Sequence, residues 1–115
     1  MAVELSEFTV LPHDSVRTAM TKIDRNKHRV VVVVDPDGTV LGTVSDGDIR
    51  RAFLHDILPI APVSEIMQLN PEVTTEADPE ERRRLVLEAR VTVLPVVSED
   101  NRLLDVELAY EPFDS

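Results

Sequence analysis

The stretch Val30-Val31-Val32-Val33-Val34-Asp35-Pro36-Asp37-Gly38-Thr39-Val40-Leu41-Gly42-Thr43-Val44-Ser45 decides how this chain folds. Its five consecutive valines are too few for a helix and apolar on both faces, which marks a fully buried strand. Asp35-Pro36-Asp37-Gly38 supplies turn chemistry: proline fixes φ, aspartate bonds its own backbone, and glycine takes a left-handed conformation. A hairpin partner is therefore predicted over Thr39 to Val44, ending at Ser45. Beyond it, Ile49, Phe53 and Leu54 give a short helical stripe that ends near His55. Upstream, Asp14 can cap a helix, and Val16, Ala19, Met20 and Ile23 carry the i, i+3, i+4, i+7 spacing of an amphipathic helix from about Ser15 to Arg25.

Downstream the same pattern starts again. Pro59 and Pro62 interrupt it, and Val63 to Met67 forms a connector with a small helical turn before Asn70-Pro71. Val73 to Thr75 reads as a short strand. Asp78-Pro79-Glu80-Glu81 is a helix start, with a cap, a proline at the first position and an acid three residues after the cap, and the helix runs to about Arg90. Val93 to Val97 is a second β-rich run, Glu99-Asp100-Asn101 a second turn, and Leu103 to Leu108 a second hairpin strand. The offset is 64 residues from Asp14 to Asp78 and 63 from Val30 to Val93 and from Gly38 to Asn101. The chain is an internal repeat, divided as residues 1–62 and 63–115. The expected class is α/β (α+β): two pseudo-symmetric units, each a small β-sheet with two helices, the second degenerate and lacking its last helix.

Composition narrows the partners. The chain has 115 residues, 43% hydrophobic and 30% charged, with 12 Lys+Arg against 22 Asp+Glu and a formal net charge of -10. That sign argues against nucleic acid as a partner. With no cysteine there is no disulfide framework, thiolate metal site or thiol nucleophile, and a cytoplasmic setting is the expectation. The longest apolar run, Val30 to Val34, is far short of the roughly 20 residues that cross a bilayer, so no membrane partner is expected. The acid excess is uneven: residues 1–64 carry nine acids and seven bases, residues 65–115 thirteen acids and five bases.

The chemistry concentrates at Gly42-Thr43-Val44-Ser45-Asp46-Gly47-Asp48-Ile49-Arg50-Arg51, a strand-to-helix junction. A helix N-terminus presents unsatisfied amides, and a hydroxyl and a carboxylate three residues apart there can face one cleft. A carboxylate accepts hydrogen bonds from a vicinal diol but repels phosphate, so a phosphate would need Arg50, Arg51 or another base. The same Ser-x-x-Asp spacing is close to a capping box, in which Ser45 and Asp48 bond each other's backbone. The two roles are compatible.

The block from Asp35 to Arg51 resembles a CBS domain, and the doubled pattern resembles the tandem CBS pair known as a Bateman module. The likeness covers almost the whole chain. Ser45-Asp46-Gly47-Asp48-Ile49-Arg50-Arg51 and the linker Pro62-Val63-Ser64-Glu65-Ile66-Met67 with Asn70-Pro71 are most similar to CBS pairs that accompany sugar-nucleotide nucleotidyltransferases or sugar-phosphate isomerases. The resemblance implies a non-catalytic regulatory module that binds an adenine nucleotide of the AMP, ADP or ATP class and modulates a linked or partner catalytic domain, nucleotidyltransferase-like. It assigns Ser45 and Asp48 to ribose and nearby phosphate, and adds Thr43, Arg51 and the strand start His28-Arg29-Val30, matched by Val91-Thr92-Val93 in the second repeat. In that repeat Gly42 becomes Asp105, Ser45 becomes Leu108 and Asp48 becomes Glu111, followed by Pro112. At most one site per chain is expected.

Weaker candidates have ordinary readings. His13, His28 and His55 lack metal or catalytic spacing and are expected at the surface or loop edges. Asp35-x-Asp37-Gly38 lacks the remaining ligands of a calcium loop. Arg82-Arg83-Arg84 reads as a solvated helix face, and Asp46 with Asp48 lacks the partners of a hydrolase. A homodimer is expected from the small core and apolar helix stripes. The alternative function is a non-binding dimerisation scaffold with vestigial sites. An ending at Phe113-Asp114-Ser115, where a helix should begin, suggests a piece of a longer protein.

Overall fold

The computed structural model describes residues 4–110. In chain order it contains β1 (Thr9–Val10), α1 (Val16–Asn26), β2 (Val30–Val34), β3 (Val40–Ser45), α2 (Asp46–Leu54), β4 (Gln68–Leu69), α3 (Pro79–Ala89), β5 (Val93–Val97) and β6 (Leu103–Leu108). Ser15 caps α1, its hydroxyl accepting from the Thr18 amide at 3.1 Å. This corrects the expected Asp14 cap: the Asp14 carboxylate instead accepts from the Leu11 amide at 2.8 Å, shaping the loop that precedes the helix. The helix closes on Lys27 in a left-handed conformation, φ 62°.

Strands β1 to β4 form one sheet in that order. The β2–β3 hairpin is antiparallel and β1 lies parallel to β2. The side-chain alternation of β2 explains why all five positions are valine. Val31 and Val33 point into a core with Val16, Ala19 and Ile23 of α1 and Ile49 of α2. Val32 points the other way, into a second core shared with Phe8, Val93, Val97 and Val106. The strand is thus the wall between two cores, one under the helices and one between the repeats. The connector packs into the first core through fully buried Val63, and β4, beyond position 62, adds the sheet's fourth strand.

β5 and β6 make a separate antiparallel hairpin with the register of the first, each β2–β3 position recurring 63 residues later down to the bulge, Val33/Val34 in one and Val96/Val97 in the other. The expected strand Val73 to Thr75 is reduced to a single parallel bridge, Thr74 to Val96. The hairpin tips are joined reciprocally: the Val40 amide donates to the Asn101 carbonyl at 3.0 Å and the Leu103 amide to the Gly38 carbonyl at 2.9 Å. Asp78 caps α3 with Pro79 at its first position, but only Val86 of this helix is buried. The expected loss of a helix after β6 concerns residues 111–115, which lie outside the described residues.

Candidate functional site

Strand periodicity sets Thr43 and Ser45 on one face of β3, and Ser45 then ends the strand as the N-cap of α2. The Ser45 hydroxyl accepts from the Asp48 amide at 3.1 Å, and the Asp48 carboxylate accepts from the Ser45 amide at 2.9 Å. The capping box is complete. The other Asp48 oxygen accepts from Arg51 at 2.6 Å and from the Gln68 side-chain amide at 3.0 Å. Asp48 is buried, and burial pushes its carboxyl up. The hydrogen bonds from the Ser45 amide, Gln68 and Arg51 outweigh that and hold it below the usual carboxylate range. It is therefore an acceptor-only group on the wall of a cleft.

Gln68 reaches Asp48 because Gly42 lets the connector close on β3. A Cβ at Gly42 would lie 2.4 Å from the Gln68 carbonyl oxygen. Glycine here serves a close backbone approach.

The cleft holds about 460 Å³ and lies between the repeats. Val30, Thr43, Ser45, Asp48 and Arg51 line it from the first repeat, Val91 and Val93 from the second, and Gln68, Pro71 and Glu72 from the connector. Five of the six expected site residues thus share one chamber. Arg29 lines an adjoining cavity of about 420 Å³ that shares Val30, Ser45 and Val91 with it. The carbonyl of Arg29 accepts from the Asp46 amide at 3.0 Å, joining the start of β2 to the start of α2. A hydroxyl and an ionised carboxylate beside valine walls suit a flat apolar ring joined to a group with neighbouring hydroxyls, whereas Glu72 disfavours an anionic group in the same chamber. Among the described residues no three His, Cys, Asp or Glu side chains gather as a metal site.

Sequence reasoning missed Gln68 and Glu72. Neither belongs to a motif; Gly42 was the one signal that something approaches β3 closely. The surface reading of His28 is corrected as well, because this side chain is fully buried. Its ring stacks on Tyr110 at 4.2 Å, its Nδ1 meets the Asn26 carbonyl at 2.7 Å and its Nε2 the Tyr110 carbonyl at 2.7 Å. The second repeat steers it there, with the Thr92 hydroxyl donating to the His28 carbonyl. In the second repeat Leu108 occupies the place of Ser45, and Glu111 lies outside the described residues.

Comparison with known proteins agrees with this fold. Residues 4–55 match the CBS domain family model. Arabinose 5-phosphate isomerase GutQ of Salmonella typhi is 33% identical over 91 residues, which is 77% of this chain and 28% of the relative. The chain thus spans less than a third of the length of that curated relative. Among solved structures, CBSX2 in complex with AMP is 27% identical with a TM-score of 0.70, covering 88% of this chain and 80% of that one. A putative acetoin utilization protein (AcuB) from Vibrio cholerae shares the fold at 22% identity, a TM-score of 0.77, and coverage of 94% and 85%. No helix among the described residues is long and apolar enough to cross a membrane. Residues 4–55 of the first repeat thus match a CBS domain, and the described chain has the fold of CBS-domain pairs.

Proposed function

We propose that this chain is a regulatory module that binds an adenine nucleotide in the cleft between its repeats. The observation that carries the reading is the composition of that cleft, in which the polar groups of one repeat face the apolar wall of the other. Ser45 and Asp48 take the ribose hydroxyls, Val30, Val91 and Val93 flank the base, Thr43 adds a hydroxyl at the rim, and Arg51 exchanges Asp48 for the first phosphate. The AMP complex of CBSX2 supports this class of ligand. Occupancy bridges residues 1–62 and 63–115 and so changes how firmly the two repeats hold together.

The module reports to a catalytic domain in a longer chain or a partner. The GutQ relative favours a sugar-phosphate isomerase over a nucleotidyltransferase in that role. Exposed Leu54, Leu58 and Ile60, 77%, 65% and 82% accessible, support a homodimer. A thermal-shift panel of AMP, ADP, ATP and S-adenosylmethionine tests the reading. A ligand at about 100 times its Kd adds roughly 2.7 kcal/mol of stability. Asp48→Asn, which keeps the side chain's shape, should abolish the shift. No shift from any adenine nucleotide would leave the dimerisation scaffold, for which Leu108 in the second motif already speaks.

A further inference from the structure

The cavity beside the nucleoside chamber has a different charge. Arg29 approaches it from the start of β2, Arg50 from α2, and Arg90 from the end of α3 in the second repeat. Among the described residues none of these three guanidiniums has a carboxylate within 4.0 Å; Arg17 and Arg83 are likewise unpaired but line no such cavity, whereas Arg25, Arg51, Arg82, Arg84 and Arg102 are ion-paired. Asp46 is the single acid on this wall, so the lining carries three cations against one anion in a chain whose net charge is -10. Such a local inversion of sign attracts an anion that the rest of the surface repels. The neighbouring chamber is the opposite, with Asp48 and Glu72 against Arg51. The two share Val30, Ser45 and Val91 and so adjoin, which lets a ligand whose hydroxyls meet Asp48 direct its tail away from Glu72 and toward the arginines.

We propose that the chamber lined by Arg29, Arg50 and Arg90 is a polyphosphate subsite, so that this module selects a nucleoside di- or triphosphate over the monophosphate. The inference rests on the nucleotide reading above and adds the number of phosphates the site demands. Three unpaired guanidiniums can form bidentate contacts to successive phosphates, whereas a nucleotide whose one phosphate is held at Arg51 has none left for them. Because Arg90 belongs to the second repeat, the triphosphate tail also ties the repeats together.

The test is calorimetric titration of the full chain, without divalent cations, with adenosine, AMP, ATP and inorganic tripolyphosphate. The same ligands are titrated into the Arg50→Gln, Arg90→Gln double variant. Both residues are exposed, and circular dichroism checks that the variant folds. ATP should bind at least about tenfold tighter than AMP, and the double variant should bring the two within about twofold while leaving adenosine unchanged. Tripolyphosphate alone should bind wild type and weaken in the variant. AMP binding as tightly as ATP, or an ATP advantage that survives both substitutions, overturns the subsite and leaves the nucleotide reading standing. Arginine-dependent tripolyphosphate binding with no response to adenosine or AMP keeps the subsite and overturns the nucleotide reading. No binding by any of the four overturns both.

Discussion

The two hairpins of this chain are near copies in backbone and strangers in side chain. β2–β3 and β5–β6 share a register, a bulge and a 63-residue offset, and the helices before them close on left-handed Lys27 and Arg90, again 63 apart. Yet α1 buries Val16, Ala19, Ile23 and Asn26 while α3 buries only Val86, and Gly42 and Ser45 give way to Asp105 and Leu108. Ladder hydrogen bonds use groups every residue carries, so pairing survives sequence drift. A site needs a hydroxyl, a carboxylate and a bare Cα at given positions, so it does not. The first repeat carries the Ser45–Asp48 box and the second supplies a wall of the cleft.

Matched substitutions can break that contrast. The largest expected effect is in the helices: Ile23→Ala should cost about 3 kcal/mol by leaving a cavity in the first core, whereas Leu87→Ala, on the open face of α3, should stay within about 0.5 kcal/mol. Urea unfolding followed by circular dichroism reads both, and equal losses would remove the asymmetry. Next, Gly42→Ala should cost about 2 kcal/mol, because its methyl meets the Gln68 carbonyl, while Asp105→Ala at the equivalent place should be near neutral. A smaller loss, about 1 kcal/mol, is expected for Ser45→Ala, which removes the cap of α2.

Acid adds a signed test. Asp48 has its carboxyl held below the usual range, so the stability it contributes is complete above that range and is lost as pH falls through the lowered value. The gap in unfolding midpoint between wild type and Asp48→Asn should therefore be widest near neutrality and close on acidification below about pH 4. A constant gap would mean the carboxylate's charge is not what the site uses. The smallest effect is a gain: Lys27→Gly and Arg90→Gly should each add about 0.5 to 1 kcal/mol by relieving a left-handed side chain, and by similar amounts if the two closures are equivalent.

Much of this was legible in the sequence. The valine run, Asp35-Pro36-Asp37-Gly38 and the recurrence at 63 residues fixed both hairpins, because strand and turn signals are local and strong. Ser45 and Asp48 were legible for the same reason, since a capping box announces itself by spacing. Gln68 was not, because it reaches Asp48 across twenty residues through a contact that only the fold creates. His28 was misread because its burial depends on Phe8, Tyr110 and Thr92, all distant in sequence. The gathering of Arg29, Arg50 and Arg90 was equally hidden, each lying in a distant part of the chain.

The joined hairpin tips have a kinetic meaning. Each hairpin closes on neighbours a few residues away, but the Asn101 side chain reaches the Val40 carbonyl across 61 residues. Loop-closure entropy rises with that separation, so the two hairpins can form early and independently while the stitch between them forms last. The cleft exists only once that late step is complete. A nascent or partly unfolded chain would hold a finished Ser45–Asp48 box with no opposite wall, so the proposed nucleotide would find no cleft until both repeats had been made.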